Sequence, residues 1–515
     1  MNNASHASST FQGEILFDTN FDYLFEYLCT NSDCLLPNIS SEPGVLSTIE
    51  RLMQLGTMMA DPGAKNSEQP RLNSTIPAIY TYLGQFIDHT ITARTDREED
   101  FKISDDDGEP RNIVPAPIED IVGKLKNGRR PMLDLDSLFG DGPSFSDYYG
   151  AEADAIYEPG TFRLRIEERA NGYFDLKRDG GKALIGDARN DENLMVSQLH
   201  AVFIKFYNRI YDRLVQIYPS AVEAYSRARR LTCWAFQYVT INDYLHKVCD
   251  EDVVRETLLN GPYYFLTSAG VYMPLEFSVA AFRFGHSMIR PFYKVNDVVG
   301  DKTIQEVLGT SPKLLAQDGQ LDPRFSLKWG NFVKITNADR PQMARLIDPK
   351  IAKGLFLLNE LDSNIPAGAM MAVLTQRNLL RGYLLRIPTG QSVAKAMRVT
   401  PLTQNQIMDG FTQPEKDFLM TSGFADRSPL WFYILQEAAV QQQGQKLGIV
   451  GSKLVAETLI GLVKEDRNSY FNNQNTKEVE LDINGDVIGI KVTPDFRPIK
   501  TIADIIELAL KPLRA

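Results

Sequence analysis

The sequence predicts a mainly α fold, built as a single large domain with a minor β-hairpin near the C-terminus. Three observations carry this. Leu194, Leu199, Val202, Phe203, Phe206, Ile210 and Leu214 recur largely at three- and four-residue spacing, the longest helical periodicity in the chain. Further apolar helical segments follow through the C-terminal half, whereas one clear strand signal appears, and late. No internal repeat, low-complexity block or linker divides the 515 residues.

Taken in order, residues 1–70 read as an irregular N-terminal extension packing on the core, with a helical stretch near Val45–Ala60, and residues 71–515 as the main domain. A helix carries Tyr80–Thr90. Residues 95–160 are loop-rich, with the acidic run Asp96–Glu109 read as a solvated loop and a Pro/Gly-containing stretch over Asp134–Pro143. After the long helix, a second spans Ala221–Leu245 and a third Tyr272–Met288. More helices are expected at Ala369–Leu384, Lys416–Thr421, Pro429–Gln443, Ser452–Glu465 and Ile502–Leu510. Val479–Ile483 and Val487–Val492 flank Asn484-Gly485, which signals a type I′ hairpin turn.

A chain with 43% hydrophobic residues can bury a cofactor. The net charge of −11 and pI near 5.2 argue against nucleic acid as a partner. No uncharged apolar run approaches the roughly 20 residues of a transmembrane segment. The polar opening Met1–Thr10 lacks signal-peptide character, so a cytoplasmic location is expected. Cys29, Cys34, Cys233 and Cys249 form no metal-ligand pattern and read as free thiols, although Cys29 and Cys34 are close enough to pair in an oxidising setting. Nothing in the sequence speaks to oligomeric state.

Histidine is scarce, and that makes the chemistry easier to locate. Of His6, His89, His200, His246 and His286, two lie in segments resembling the two faces of a haem pocket. One imidazole can ligate iron while the other moves protons opposite it. Gln85 and His89 stand one helical turn apart, with Asp88 beside them. Arg189 and Glu192, spaced i,i+3 in Gly186-Asp-Ala-Arg-Asn-Asp-Glu-Asn193, share a face at the start of the long helix. A fixed cation there would stabilise charge developing on a departing hydroxide. His286 lies in an aromatic helix, and an iron-ligating imidazole needs an acceptor for its other N–H. His200 reads as structural, and His246 and His6 as ordinary helix-end and terminal residues.

Four ordered blocks carry a family resemblance: Tyr82-Leu-Gly-Gln-Phe-Ile-Asp-His89, Gly186–Asn193, Phe277-Ser-Val-Ala-Ala-Phe-Arg-Phe-Gly-His286 and, more weakly, Leu374-Thr-Gln-Arg-Asn-Leu-Leu-Arg381. The chain resembles the animal-type haem peroxidases of the peroxidase–cyclooxygenase superfamily, above all its bacterial members. The resemblance implies a haem-peroxidase catalytic domain over 71–515. Hydrogen peroxide would oxidise phenols, or halides and pseudohalides such as bromide, iodide and thiocyanate, through a ferryl intermediate. It implies His89 as distal acid/base, Gln85 beside it placing water or a halide, and Arg189 as distal arginine. His286 becomes the proximal ligand to the haem iron, with Asn378 as its hydrogen-bond partner. Asp88 and Glu192 stand where the family forms ester links to haem b.

Departures from the pattern qualify these roles. Many members place the proximal asparagine where this chain has Leu374, so Asn378, one turn on, reads equally as a solvent-facing or capping residue. Asn193 replaces a methionine that forms a sulfur link in one mammalian member, which argues against the strongest chloride oxidation. Thr90 stands where many members carry a calcium-ligating aspartate. Met132, Asp134 and Asp136 retain part of a second calcium loop and read alternatively as turn residues. Arg283, counted with the cofactor-binding residues, occupies the place of the radical tyrosine of haem-dependent fatty-acid dioxygenases. That dioxygenase chemistry is the first alternative, and a non-catalytic haem-binding or adhesion protein the second.

Overall fold

The longest helix runs Leu194–Val215 and organises the rest. Asn193 starts it: its backbone is extended, and its side-chain oxygen accepts the Val196 N–H at 2.9 Å. The computed structural model describes residues 19–61, 72–93, 101–103, 113–140, 142–143, 156–169, 172–267, 270–308, 314–356 and 372–511. Within it the long helix packs against Ala221–Val239 and the C-terminal helix Ile502–Leu510, and its apolar face is fully buried.

The His89 helix, Ile79–Ile91, is buried on nearly every side, as an apolar helix threading a core must be. Phe86 fixes its placement. Its ring stacks on Phe203 of the long helix at 4.8 Å and meets Phe236 edge-on at 5.8 Å. Such pairs contribute roughly 0.5–1.5 kcal/mol each beyond area burial. Ala221–Val239 does not continue as one α-helix to Leu245. It widens into a π-turn at Thr240–Tyr244 before Leu245–Val248 resumes. A β-carbon at Gly84 would lie 2.5 Å from the Tyr244 hydroxyl, so only glycine lets the His89 helix approach that turn.

The segment expected as a helix over Tyr272–Met288 departs furthest from its pattern. It is a π-turn at Glu276–Ala280 followed by a 3-10 turn at Ala281–His286. Tertiary partners capture the groups that a regular helix would pair internally. Arg283 Nε donates to the Ser278 carbonyl at 3.2 Å, and Trp431 Nε1 to the Arg283 carbonyl at 3.1 Å. The buried Glu276 carboxylate accepts the Leu24 and Phe25 N–H groups at 2.9 and 3.0 Å.

Near the N-terminus, Thr48–Met58 opens with a Ser47/Glu50 capping box and packs on Leu374–Leu384. The Thr375 hydroxyl donates to the Gly56 carbonyl at 2.7 Å. Leu374–Leu384 begins after an extended Val373, and residues 369–371 lie outside the described residues. The remaining expected helices appear as Gln413–Thr421, Leu430–Gln442, Ile449–Glu465 and Ile502–Leu510. Small sheets join distant segments, as where Thr19–Asp22 pairs with Lys126–Asn127 and with Met273–Pro274.

The C-terminal hairpin is present, Val479–Leu481 against Val487–Ile490, but its turn is not type I′. Gly485 alone is left-handed, at φ +87°, where type I′ also needs a positive φ at Asn484. The Asp482 carboxylate accepts the Asn484 and Asp486 N–H groups at 2.8 and 2.9 Å, which favours a bulged turn. The acidic run Asp96–Glu109 lies outside the described residues except at Phe101–Ile103. All four cysteines are free thiols. Among the described residues, no helix is long and apolar enough to cross a membrane.

Candidate active site

Four elements converge on the interior: the His89 helix, the 3-10 turn Ala188–Asp191 ahead of the long helix, the Ala281–His286 turn and the Leu374–Leu384 helix. The His89 helix packs directly against both turns. His89 is buried, with Nδ1 2.8 Å from Asn190 Oδ1 and Nε2 3.6 Å from Glu192 Oε1. Burial, reinforced by the nearby Arg189 charge, pushes its imidazole down to about 3. The ring is therefore neutral at ordinary pH, as a proton acceptor must be.

Arg189 is anchored rather than merely present. Its Nε and Nη2 donate to Asp187 at 3.1 and 2.7 Å, and Nη2 also donates to the His89 and Thr92 carbonyls at 3.0 and 2.7 Å. Asp187 also takes Arg129 Nη2 at 2.6 Å. Burial opposes its charge, but the two guanidiniums outweigh that and hold its carboxyl well below the usual range. Gln85 sits between two partners, donating from Nε2 to Glu192 at 2.5 Å and accepting from Asn193 Nδ2 at 3.0 Å. The Asp88 carboxylate accepts the Thr92 hydroxyl at 2.9 Å. Burial raises its affinity for a proton despite the opposing Arg189.

On the other side, Asn378 Nδ2 lies 2.9 Å from His286 Nδ1, and Arg283 Nη1 donates to Asn378 Oδ1 at 2.8 Å. The Trp431 ring meets the His286 ring edge-on at 6.3 Å. Asn378 is thus a buried contact of His286 rather than a solvent-facing residue. Arg283 belongs to the same cluster, and its charge reaches across to Asp88.

The residues fit a flat, anionic prosthetic group between these faces. Asp88 and Arg189 lie deep in the molecule yet keep accessible surface, as do Gln85, Glu192, Arg283 and His286. Interior side chains do so when they face a cavity. A β-carbon at Gly285, next to His286, would meet nothing within 4 Å. Two carboxylates, two guanidiniums and an imidazole thus keep accessible surface in the region where these elements meet.

The residues expected to form a calcium loop also lie close to this site. Thr90 Oγ1 and Ser137 Oγ are 3.2 Å apart, which brings the two segments together. Asp134 is bridged to Arg130 at 2.7 Å, and Asp136 lies 3.8 Å from Arg129. Among the described residues neither buried Asp136 oxygen has a hydrogen-bond partner, and burial raises the affinity of both carboxylates for protons. Among the described residues, no group of three His, Cys, Asp or Glu is gathered to hold a metal ion. His200 is buried against Phe86, ring to ring at 5.7 Å, and His246 pairs with Glu251 at 2.8 Å. The roles of Asp187 and Asn190 escaped the sequence reading, although both residues stand inside the Gly186–Asn193 block.

Fold and site together describe a mainly helical protein with a buried histidine–arginine cluster, and the comparisons show what it is similar to. The animal haem peroxidase family matches residues 164–360, a stretch that includes Arg189, Glu192 and His286. Thyroid peroxidase of Rattus norvegicus is 26% identical over 265 residues, 47% of this chain and 28% of that protein. Eosinophil peroxidase of Mus musculus is 33% identical over 111 residues, 21% of this chain and 15% of that protein. The chain thus spans 28% and 15% of the length of these two curated relatives. Among solved structures, peroxidase A from Dictyostelium discoideum aligns with a TM-score of 0.59 at 17% identity, covering 89% of each chain. Fatty acid alpha-dioxygenase from Arabidopsis thaliana aligns with a TM-score of 0.58 at 14% identity, covering 96% of this chain and 84% of that one. These two likenesses show the fold. Residues 164–360 are thus similar to the animal haem peroxidase family, and the curated peroxidases share part of the chain at 26–33% identity.

Proposed function

We propose that the protein is a haem peroxidase that uses hydrogen peroxide to oxidise small donors. The observation that carries this is the pairing of a neutral, buried His89 with an anchored Arg189, on a helix packed against the His286 turn. His286 would hold the haem iron through Nε2, with Asn378 on Nδ1. Bound haem supplies the iron that receives peroxide oxygen and the oxidising equivalents passed to the donor. His89 Nε2 takes a proton from the nearer peroxide oxygen and returns it to the farther one, which then leaves as water when the O–O bond breaks. Arg189, held in place by Asp187, stabilises the negative charge that grows on that leaving oxygen at no reorganisation cost.

In this reading residues 71–515 form the catalytic domain. Asp88 and Glu192 edge the cavity and are the residues that would bond covalently to haem. Phenols, bromide, iodide and thiocyanate are the donors favoured, since Asn193 offers no sulfur and is engaged by Gln85. The Asp136 carboxylate, whose oxygens accept no hydrogen bond among the described residues, supports calcium binding by Asp134, Asp136 and the Met132 carbonyl, at an affinity lowered by Arg129 and Arg130. The test is steady-state turnover of a phenol and of bromide by haem-loaded protein under peroxide. Failure with both donors would overturn the reading.

A fatty-acid dioxygenase is the second reading, supported by the structural likeness to the Arabidopsis enzyme. Arg283 stands where that chemistry needs a tyrosine, and its guanidinium is engaged with Asn378. Oxygen uptake with linoleate in the absence of peroxide would favour this second reading.

A further inference from the structure

We infer that Asn190 is a positioning residue that sets the tautomer of His89, holding the ring proton on Nδ1 so that Nε2 keeps its lone pair toward the cavity. The inference rests on the peroxidase reading for its purpose, but not for its geometry. Asn190 is fully buried in the Ala188–Asp191 turn, and its backbone N–H is committed to the Asp187 carbonyl at 3.0 Å. Its side chain meets His89 Nδ1 at 2.8 Å through the amide oxygen.

A neutral imidazole carries one N–H and one lone pair. An acceptor at Nδ1 places the proton there and leaves Nε2 basic. A donor at Nδ1 would do the reverse, and Nε2 could not then accept a proton from peroxide. The choice of an amide matters as much as its position. A carboxylate in this place would stabilise the imidazolium and keep the base occupied. Asn190 fixes the tautomer without adding charge, in a setting where Asp187, Glu192, Asp88, Arg129 and Arg189 already supply charges of both signs. Among the described residues the buried Asn190 NH2 group has no acceptor, so the contact with His89 is the one hydrogen bond its side chain makes there. A merely structural asparagine would have that group satisfied.

Two measurements test this. With [15N]-histidine labelling, solid-state NMR resolves five histidines, and His89→Gln assigns the signal. The Nδ1–H form is expected for His89 in the protein as purified, replaced by a mixture in Asn190→Ala. An Nε2–H form in the parent protein, or an unchanged signal in Asn190→Ala, overturns the inference. The second is cyanide association with the ferric haem protein across pH. Asn190→Asp should raise the pKa that governs association by about one unit or more, because the added carboxylate favours the imidazolium. Asn190→Ala should slow association about tenfold with the Soret band in place. Equal profiles in both variants count against the inference. The NMR result does not depend on turnover, so an inactive protein with the expected tautomer would refute the peroxidase reading alone.

Discussion

Asn378 bridges Arg283 and His286 through the two ends of its amide. Arg283 holds its Oδ1 at 2.8 Å, while His286 Nδ1 lies 2.9 Å from its Nδ2. An imidazole bound to iron through Nε2 carries its proton on Nδ1 and needs an acceptor there. Haem loading should therefore turn the amide, trading the Arg283 contact for one to His286.

Asn378→Asp offers an oxygen to each donor at once and should leave the fold intact. It should also make the imidazole more anionic and shift the iron reduction potential negative. Asn378→Ala should lower peroxidase activity about 10- to 100-fold, the usual effect of losing a ligand's partner. Spectroelectrochemical titration of both variants checks this, and an unchanged potential in Asn378→Asp would refute it.

Arg189→Gln should lower kcat/KM for peroxide about 10²- to 10³-fold, the typical loss for one preorganised donor. The Soret band should remain, because in the proposed arrangement Arg189 does not hold the iron. Stopped-flow mixing with peroxide measures the effect. A fall smaller than about tenfold would remove Arg189 from the proposed role.

Acid stability offers a test that needs no donor. Burial pushes both His89 and His200 down to about 3. An unfolded histidine titrates near 6.5, so between about 6.5 and 3 the unfolded chain binds more protons. Their contribution is complete above about 6.5 and is lost as pH falls toward 3. Glu276 and Glu437, which burial raises to about 7, act in the opposite sense, losing their contribution as pH rises from about 4.5. The informative quantity is thus a difference between variants. His200→Leu should lose less stability than the parent between pH 7 and pH 5 in urea titrations, and equal losses would contradict this account.

Calcium and the haem links can be examined on one preparation. Added Ca²⁺ should raise the thermal midpoint, since ligand at about 100 times its Kd contributes roughly 2.7 kcal/mol. Asp136→Asn should abolish the shift, and a midpoint indifferent to Ca²⁺ in the parent protein would remove the metal from the proposal. Acid–acetone extraction followed by haemochrome spectra should leave haem on the parent chain and release it from the Asp88→Asn/Glu192→Gln double variant.

Much of this architecture was legible because it is written in local pattern. Ile502–Leu510 and the long helix follow apolar spacing, and His89, Arg189 and His286 stand in short ordered blocks. What escaped depends on direction or distance. Leu374 and Asn378 lie one turn apart on the same helix face, so spacing alone leaves the partner of His286 open. The side-chain heading of Asn190 is set by a 3-10 turn whose geometry no periodicity announces. The π- and 3-10 turns around His286 depend on Trp431 and on residues 24 and 25, far away in sequence. At the hairpin, one aspartate side chain overruled the Asn-Gly signal.

Asn193 carries a consequence for how this scaffold can change. One side chain both begins the longest helix and grips Gln85 in the cavity. A methionine introduced there as a sulfur anchor for haem would forfeit a cap worth about 1 kcal/mol and let Gln85 go in the same step. Greater oxidising strength and a sound scaffold are therefore coupled traits in this lineage, and directed evolution toward chloride chemistry should first have to stabilise the helix elsewhere.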